Sequence, residues 1–109
     1  MFIQASHIAF ETLEPGLERR ILGYTEQMMV TEVRFAKDVV GALHHHPHRQ
    51  SAYVAAGSFE VTIAGETKVL VQGDGYIVEP DIVHGVKALE DGSVLIDFFT
   101  PMREDFLKK

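Results

Sequence analysis

Four of the six histidines in this 109-residue chain fall between positions 44 and 48, as His44, His45, His46 and His48. In an extended strand the side chains at i and i+2 share a face, so His44 and His46 point together while His45 points away. Two imidazoles so placed grip one divalent ion, and an ion of borderline softness needs further ligands from another strand. His84, at the start of a later apolar run, is the best candidate. His48 shares the parity of the pair, but Pro47 marks an edge or a bulge past which the alternation need not hold. A contact to the ligands or substrate and a plain rim position both stay open for it. His45 and His7 read as surface histidines. The absence of cysteine excludes disulfides, thiolate nucleophiles and Cys-ligated zinc or iron-sulfur sites, leaving His, Asp, Glu and Gln as ligands.

A second constellation lies near the other end, in DFFTPMR. Asp97 and Phe99 share one strand face, and Val94, Ile96 and Phe98 take the other. Both faces carry apolar groups, so parity alone does not say which looks inward. An inward carboxylate is costly unless paired or functional, which makes Asp97 a site candidate. The bland alternative is an exposed aspartate at the end of an edge strand. Tyr53 and Tyr76 could line an interior and offer hydroxyls, with core packing the simpler role for each.

These residues need a scaffold that brings distant segments together. The chain is a succession of short segments rich in Val, Ile, Phe and Tyr, broken by Gly, Asp and Pro about every ten residues, which is the all-β sandwich or barrel signal. Strands are expected over 7–12, 18–23, 26–35, 39–45, 51–56, 58–64, 66–72, 75–79, 84–89 and 93–100. Ala64-Gly65, Gly73-Asp74-Gly75 and Asp91-Gly92 supply residues that accept positive φ in tight turns. Phe59, Val61 and Ile63 alternate with Glu60 and Thr62, the pattern of a half-buried strand. In the tail, 102–109, Pro101 could cap a short helical turn whose Phe106 and Leu107 cover the end of the barrel.

The length and the 46% hydrophobic content suit one domain with one core. The formal net charge of -6 and the scattering of ten basic residues argue against a nucleic-acid partner, and an acidic ligand would need local cations to hold it. No apolar run has the length of a membrane helix, and MFIQASHIAFE lacks the cationic and apolar regions of a secretory leader. A soluble, cytoplasmic protein with no membrane partner is expected. The apolar content of 1–10 and 28–35 exceeds what a small barrel hides, which points to a homodimer formed through the N-terminal strands.

Against this background, His44-x-His46-x-x-x-Gln50, followed after six residues by Gly57, resembles the first motif of the cupins, with Gln50 where Glu is usual. Gly73 through Pro80 to His84 resembles the second motif. Asp38 and Asp81 stand where those motifs usually carry Gly, and Val83 where Pro is common. The resemblance implies a cupin double-stranded β-helix, or jelly-roll barrel, spanning 26–100. Outside the barrel, 1–25 is expected to form N-terminal strands, which the apolar surplus puts at the dimer interface, and 101–109 a C-terminal turn or helix. The resemblance also implies a divalent transition metal, such as Ni, Zn, Fe or Mn, on His44, His46, Gln50 and His84. With neutral ligands alone such a site keeps a charge of about +2 and acts as a Lewis acid toward anions.

The form His44-x-His46-Pro47-His48-x-Gln50, together with Asp97-x-Phe99-x-x-x-Arg103 and the following Glu104-Asp105, is similar to the KdgF-like pectin-degradation cupins. That family opens the ring of 4,5-unsaturated uronates to linear keto acids, and its active-site positions fall on Asp97, Phe99 and Arg103. The resemblance therefore implies a lyase or isomerase acting on a small anionic sugar. Asp97 would transfer protons, Arg103 would hold the substrate carboxylate by a bidentate contact, and Phe99 would form a wall. Arg49 occupies a position that is often acidic in such relatives, and it reads as a solvated residue. Two other classes compete: an Fe(II) dioxygenase, disfavoured by the neutral Gln50, and a binding cupin in which the metal only organises the site.

Overall fold

The computed structural model describes residues 1–107. Among them ten strands form, β1 Glu11–Glu14, β2 Leu17–Thr25, β3 Met28–Phe35, β4 Val40–His44, β5 Arg49–Ala56, β6 Ser58–Ile63, β7 Glu66–Val71, β8 Gly75–Val78, β9 His84–Ala88 and β10 Ser93–Thr100, followed by one short helix, α1 Glu104–Leu107. They make two antiparallel sheets, one ordered β1-β2-β3-β10-β5-β8 and the other β4-β9-β6-β7. The two sheets make the expected all-β jelly roll. No helix of the described residues is long and apolar enough to cross a membrane.

Strand alternation builds the interior. Phe35, Ala52, Val54 and Leu95 of the larger sheet meet Phe59, Val61 and Ala88 of the smaller one in a single apolar cluster. Phe35 and Phe59 cross edge-on with ring centroids 5.0 Å apart, a contact that spans the usual gap of about 10 Å between facing sheets. Further along the same inner faces the buried residues turn polar: Thr31, Gln50, His84 and Asp97. One end of the barrel is therefore a dry core, and the other is lined with groups that hydrogen-bond or ligate.

The turns carry out their expected work. Ala64 and Gly65, at φ 50° and 83°, join β6 to β7 with the twist that a two-residue hairpin requires. Gly57, at φ 71°, lies against β10, where a Cβ would come within 2.2 Å of Ser93 Oγ. Asp38 and Asp81, the two aspartates in glycine positions of the motifs, both sit at positive φ, 70° and 64°. Their local backbone is what glycine serves best, and aspartate is among the side chains that tolerate it.

Four expectations need correction. The first strand is Glu11–Glu14, not 7–12: Ala5–His7 is a 3₁₀ turn, and Arg20 Nη1 donates to the carbonyls of Ala5 (2.8 Å) and Ile8 (3.2 Å). Those carbonyls are satisfied by a side chain, so the segment needs no ladder. The stretch 28–35 is not surplus apolar surface, because β3 is paired on both edges and buries Met29, Thr31 and Phe35. Tyr53 does not line the barrel, since its position on β5 turns it outward, 47% exposed. Finally, α1 begins at Glu104, so the cis-linked Pro101 precedes the helix without capping it.

Candidate metal centre and active site

His44 closes β4 directly opposite His84, which opens β9. That close pairing depends on the next residue, Gly85, where a Cβ would approach Gly41 O to 2.8 Å. His46 lies just beyond the strand, in the loop to β5, and its carbonyl accepts from Asp81 N at 2.8 Å. The expected parity shows in the clustering: His45 is exposed and faces Asp81 at 3.5 Å, while His46 and His84 are buried and His44, itself exposed, still joins them. One ligand atom from each of His44, His46 and His84 falls within 4.8 Å of the others. Gln50, the second residue of β5, joins them from the neighbouring sheet. Its Oε1 is 2.9 Å from His46 Nε2 and 3.0 Å from His84 Nε2.

The donor set tests whether a cation belongs here. Each Nδ1 faces a backbone carbonyl: His44 to Ala42 O at 2.8 Å, His46 to His48 O at 2.9 Å and His84 to Ile82 O at 2.9 Å. A carbonyl only accepts, so each Nδ1 carries the proton and each Nε2 of the neutral ring presents a lone pair inward. Burial lowers the pKa of His46 and His84, which keeps those rings neutral. Imidazole lone pairs and an amide oxygen then converge with no donor among them. Acceptors so arranged repel one another unless a cation sits between them, and backbone bonds at Nδ1 are what orients ligating histidines. The residues fit a divalent metal.

Gln50 also faces the second constellation. Its Nε2 donates to Asp97 Oδ1 at 3.0 Å, so the amide is fixed with its oxygen toward the imidazoles and its nitrogen toward the carboxyl. Asp97 and Phe99 take the inner face of β10, and Ile96 and Phe98 the outer one, which resolves the parity. Asp97 has its pKa raised to about 7, chiefly by burial, against the opposing pull of the Gln50 hydrogen bond and the Arg103 charge. Such a group is protonated and ionised in comparable amounts near neutral pH. Tyr76, opposite Ala52 on β8, packs against the core. Burial and the Asp97 charge hold its phenol protonated.

Arg103 is buried beside Phe99, its Cζ 5.1 Å from the ring centroid, and Phe99 in turn stands edge-on to His46 at 5.7 Å. The Arg103 Nε and Nη2 donate to Asp105 Oδ1 (3.0 Å) and Oδ2 (2.8 Å), a pairing that depresses the Asp105 pKa. That edge of the guanidinium is engaged within the chain, which the sequence did not disclose. His44, Gln50, His84, Asp97, Phe99 and Arg103 line one cavity of about 140 Å³, and His46, His48 and Arg103 also border a wider opening of about 650 Å³. His48 is partly buried, and its carbonyl orients His46. Arg49 pairs with Glu79 at 2.6 Å, both more than half exposed.

Two polar side chains of the cavity escaped the sequence reading, Arg19 and Thr31. Arg19 left a signal: in LERRIL it shares strand parity with Leu17 and Ile21, so a charged group occupies an otherwise apolar face.

Residues 31–99 match the cupin domain family. The chain is 50% identical over 99 residues to the pectin degradation protein KdgF of Dickeya dadantii, covering 90% of each. The solved structure of KdgF from a Halomonas species superposes with a TM-score of 0.94 at 36% identity, over 97% of each chain. An RmlC-like cupin from Shewanella frigidimarina superposes with a TM-score of 0.91 at 38% identity, over 96% of this chain and 94% of that one. The chain belongs to the cupin family and, within it, to the KdgF-like members.

Proposed function

We propose that this cupin opens the ring of 4,5-unsaturated uronates to linear keto acids, with a divalent transition metal held by His44, His46, His84 and Gln50. The observation that carries the reading is the placement of Gln50, whose amide joins the imidazole cluster on one side to the Asp97 carboxyl on the other, at 2.9, 3.0 and 3.0 Å. The likeness to a pectin degradation protein over 90% of the chain supports the substrate class.

An unsaturated uronate is a cyclic enol ether bearing a carboxylate. Its opening needs a proton at C4, a hydroxyl at C5, and cleavage of the bond from C5 to the ring oxygen. Protonated Asp97 gives its proton to C4, and the carboxylate left behind takes one from the water that adds at C5. The hydrated centre collapses to a ketone as the ring oxygen leaves with the proton of the new hydroxyl. The aldehyde hydrate formed at C1 then returns the water. A carboxyl whose pKa lies near 7 suits both proton transfers. A bound metal supplies Lewis acidity and a fixed point of attachment for substrate oxygens. Arg103 draws the anion into an otherwise acidic protein, and Phe99 walls the cavity beside His46.

Nothing favours the iron oxygenase reading, because the usual iron centre includes a carboxylate ligand, whereas Asp97 meets the amide nitrogen of Gln50. A homodimer accompanies the proposal. Met1, Phe2 and Ile3 stand exposed, Phe2 by 98%, on a segment held against β2 by Arg20.

Incubating the protein with unsaturated galacturonate, with and without a chelator, tests the function. Loss of the enol-ether absorbance that stops on chelation and resumes with added metal is expected. An unchanged substrate in the presence of metal-loaded protein refutes the enzyme and leaves a binding cupin.

A further inference from the structure

We infer that Arg19, with Thr31 beside it, forms a second anion-binding station in the cavity of the histidine cluster and takes the substrate carboxylate together with Arg103. The inference rests on the uronate reading above. Arg19 lies on β2 with its side chain 14% exposed, and it lines the same cavity as His84, Asp97 and Arg103. Its Nη2 donates to Glu11 at 2.9 Å on the outer side, while its Nε is buried without a partner. Thr31, paired with Asp97 in the ladder between β3 and β10 and wholly buried, has a hydroxyl in the same condition.

Buried donors are almost always satisfied, and a permanently charged group with a shielded, idle N–H is held at a cost. Two such groups lining one cavity mark the place of an acceptor-rich ligand. Arg103 does not fill that role alone, since Asp105 engages its Nε and Nη2. The two guanidinium groups are instead gathered on one ring: Arg19 Cζ is 3.8 Å and Arg103 Cζ 4.3 Å from the Phe106 centroid. Phe106 of α1 thus holds both cations against one ring, and Glu11 and Asp105 hold each from the rim. The C-terminal helix becomes part of the binding site, a platform that brings both cations to one cavity.

Calorimetric titration with galacturonate, a saturated uronate that cannot react, separates binding from turnover. Arg19→Met is expected to weaken galacturonate binding by about tenfold or more and to raise KM for unsaturated galacturonate by a similar factor, with kcat changed by less than about threefold. Galactose, which lacks the carboxylate, should distinguish wild type from variant by less than about twofold. Arg19→Lys keeps the charge but loses Nε. It should fall between the two, and it decides the matter if the methionine variant does not fold. Equal galacturonate affinity in wild type and variant, no galacturonate binding by the wild type, or an equal loss for galactose would each overturn the assignment. Failure of the wild type to turn over unsaturated galacturonate refutes the uronate reading instead, and the calorimetric comparison still decides the role of Arg19.

Discussion

At the scale of the residue, Gln50 is the unusual choice. A carboxylate in its place would bind a cation more tightly, but it could not donate to Asp97, and two carboxylates about 3 Å apart cannot both ionise. Gln50→Glu is therefore expected to retain or tighten metal binding while lowering kcat by about tenfold or more. Metal analysis together with turnover checks this, and full activity in the variant would contradict it. Asp97 carries a stability cost as well. Its pKa is about 7 in the fold against an ordinary 3.8, so between those values the unfolded chain binds fewer protons and stability falls as pH rises. Below about 4 the cost vanishes, and above about 7 it is complete. Metal-free Asp97→Asn should thus match wild type near pH 4 and exceed it by roughly 2–4 kcal/mol at pH 8. Thermal melts at both pH values would show it, and a pH-independent difference would refute it. The convergence of His44, His46 and His84 was legible in their spacing and motifs, whereas the inward face of Asp97 was not, because both faces of its strand carry apolar groups. The engagement of Arg103 by Asp105 was not, because a contact between residues two apart in a turn depends on backbone angles that parity does not supply.

At the scale of the element, alternation and turn chemistry carried most of the fold. Strand β10 falls on its expected bounds, 93–100, because apolar residues run through it between a Gly turn and Pro101. Ile8 and Phe10 have the i, i+2 spacing of a strand face, yet the first strand begins only at Glu11. In the structure Phe10 lies outside the strand, where Arg20 and Arg34 stack on its ring at 4.3 and 4.2 Å. An arginine binding backbone carbonyls from another segment leaves no periodic trace. The left-handed turn positions make a sharper point. Ala64, at φ 50°, has neither the freedom of glycine nor the local hydrogen bonds of aspartate, so Ala64→Gly should stabilise the fold by about 1 kcal/mol. Denaturant titration measures the change, and a lower midpoint would show that the hairpin tolerates alanine without strain.

At the scale of the whole molecule, the two sheets divide the labour between an apolar end that holds the fold and a polar end that meets ligand. The net charge of -6 disfavours an anion at long range, so Arg103 and Arg19 act as a local exception inside an acidic shell. The N-terminal segment is the other feature that only the whole explains. If Met1, Phe2 and Ile3 dock on a second copy, Phe2→Asp should convert a dimer to a monomer in light scattering without loss of the barrel's circular dichroism. A wild type that is already monomeric would refute the dimer. The uronate reading as a whole stands on the separation of metal holding from proton transfer, and one paired measurement addresses that directly: metal content and turnover of unsaturated galacturonate in Asp97→Asn, beside His46→Ala. The expected result is a metal-loaded but inactive Asp97→Asn and a metal-free, inactive His46→Ala. An Asp97→Asn protein that turns over at the wild-type rate would contradict it.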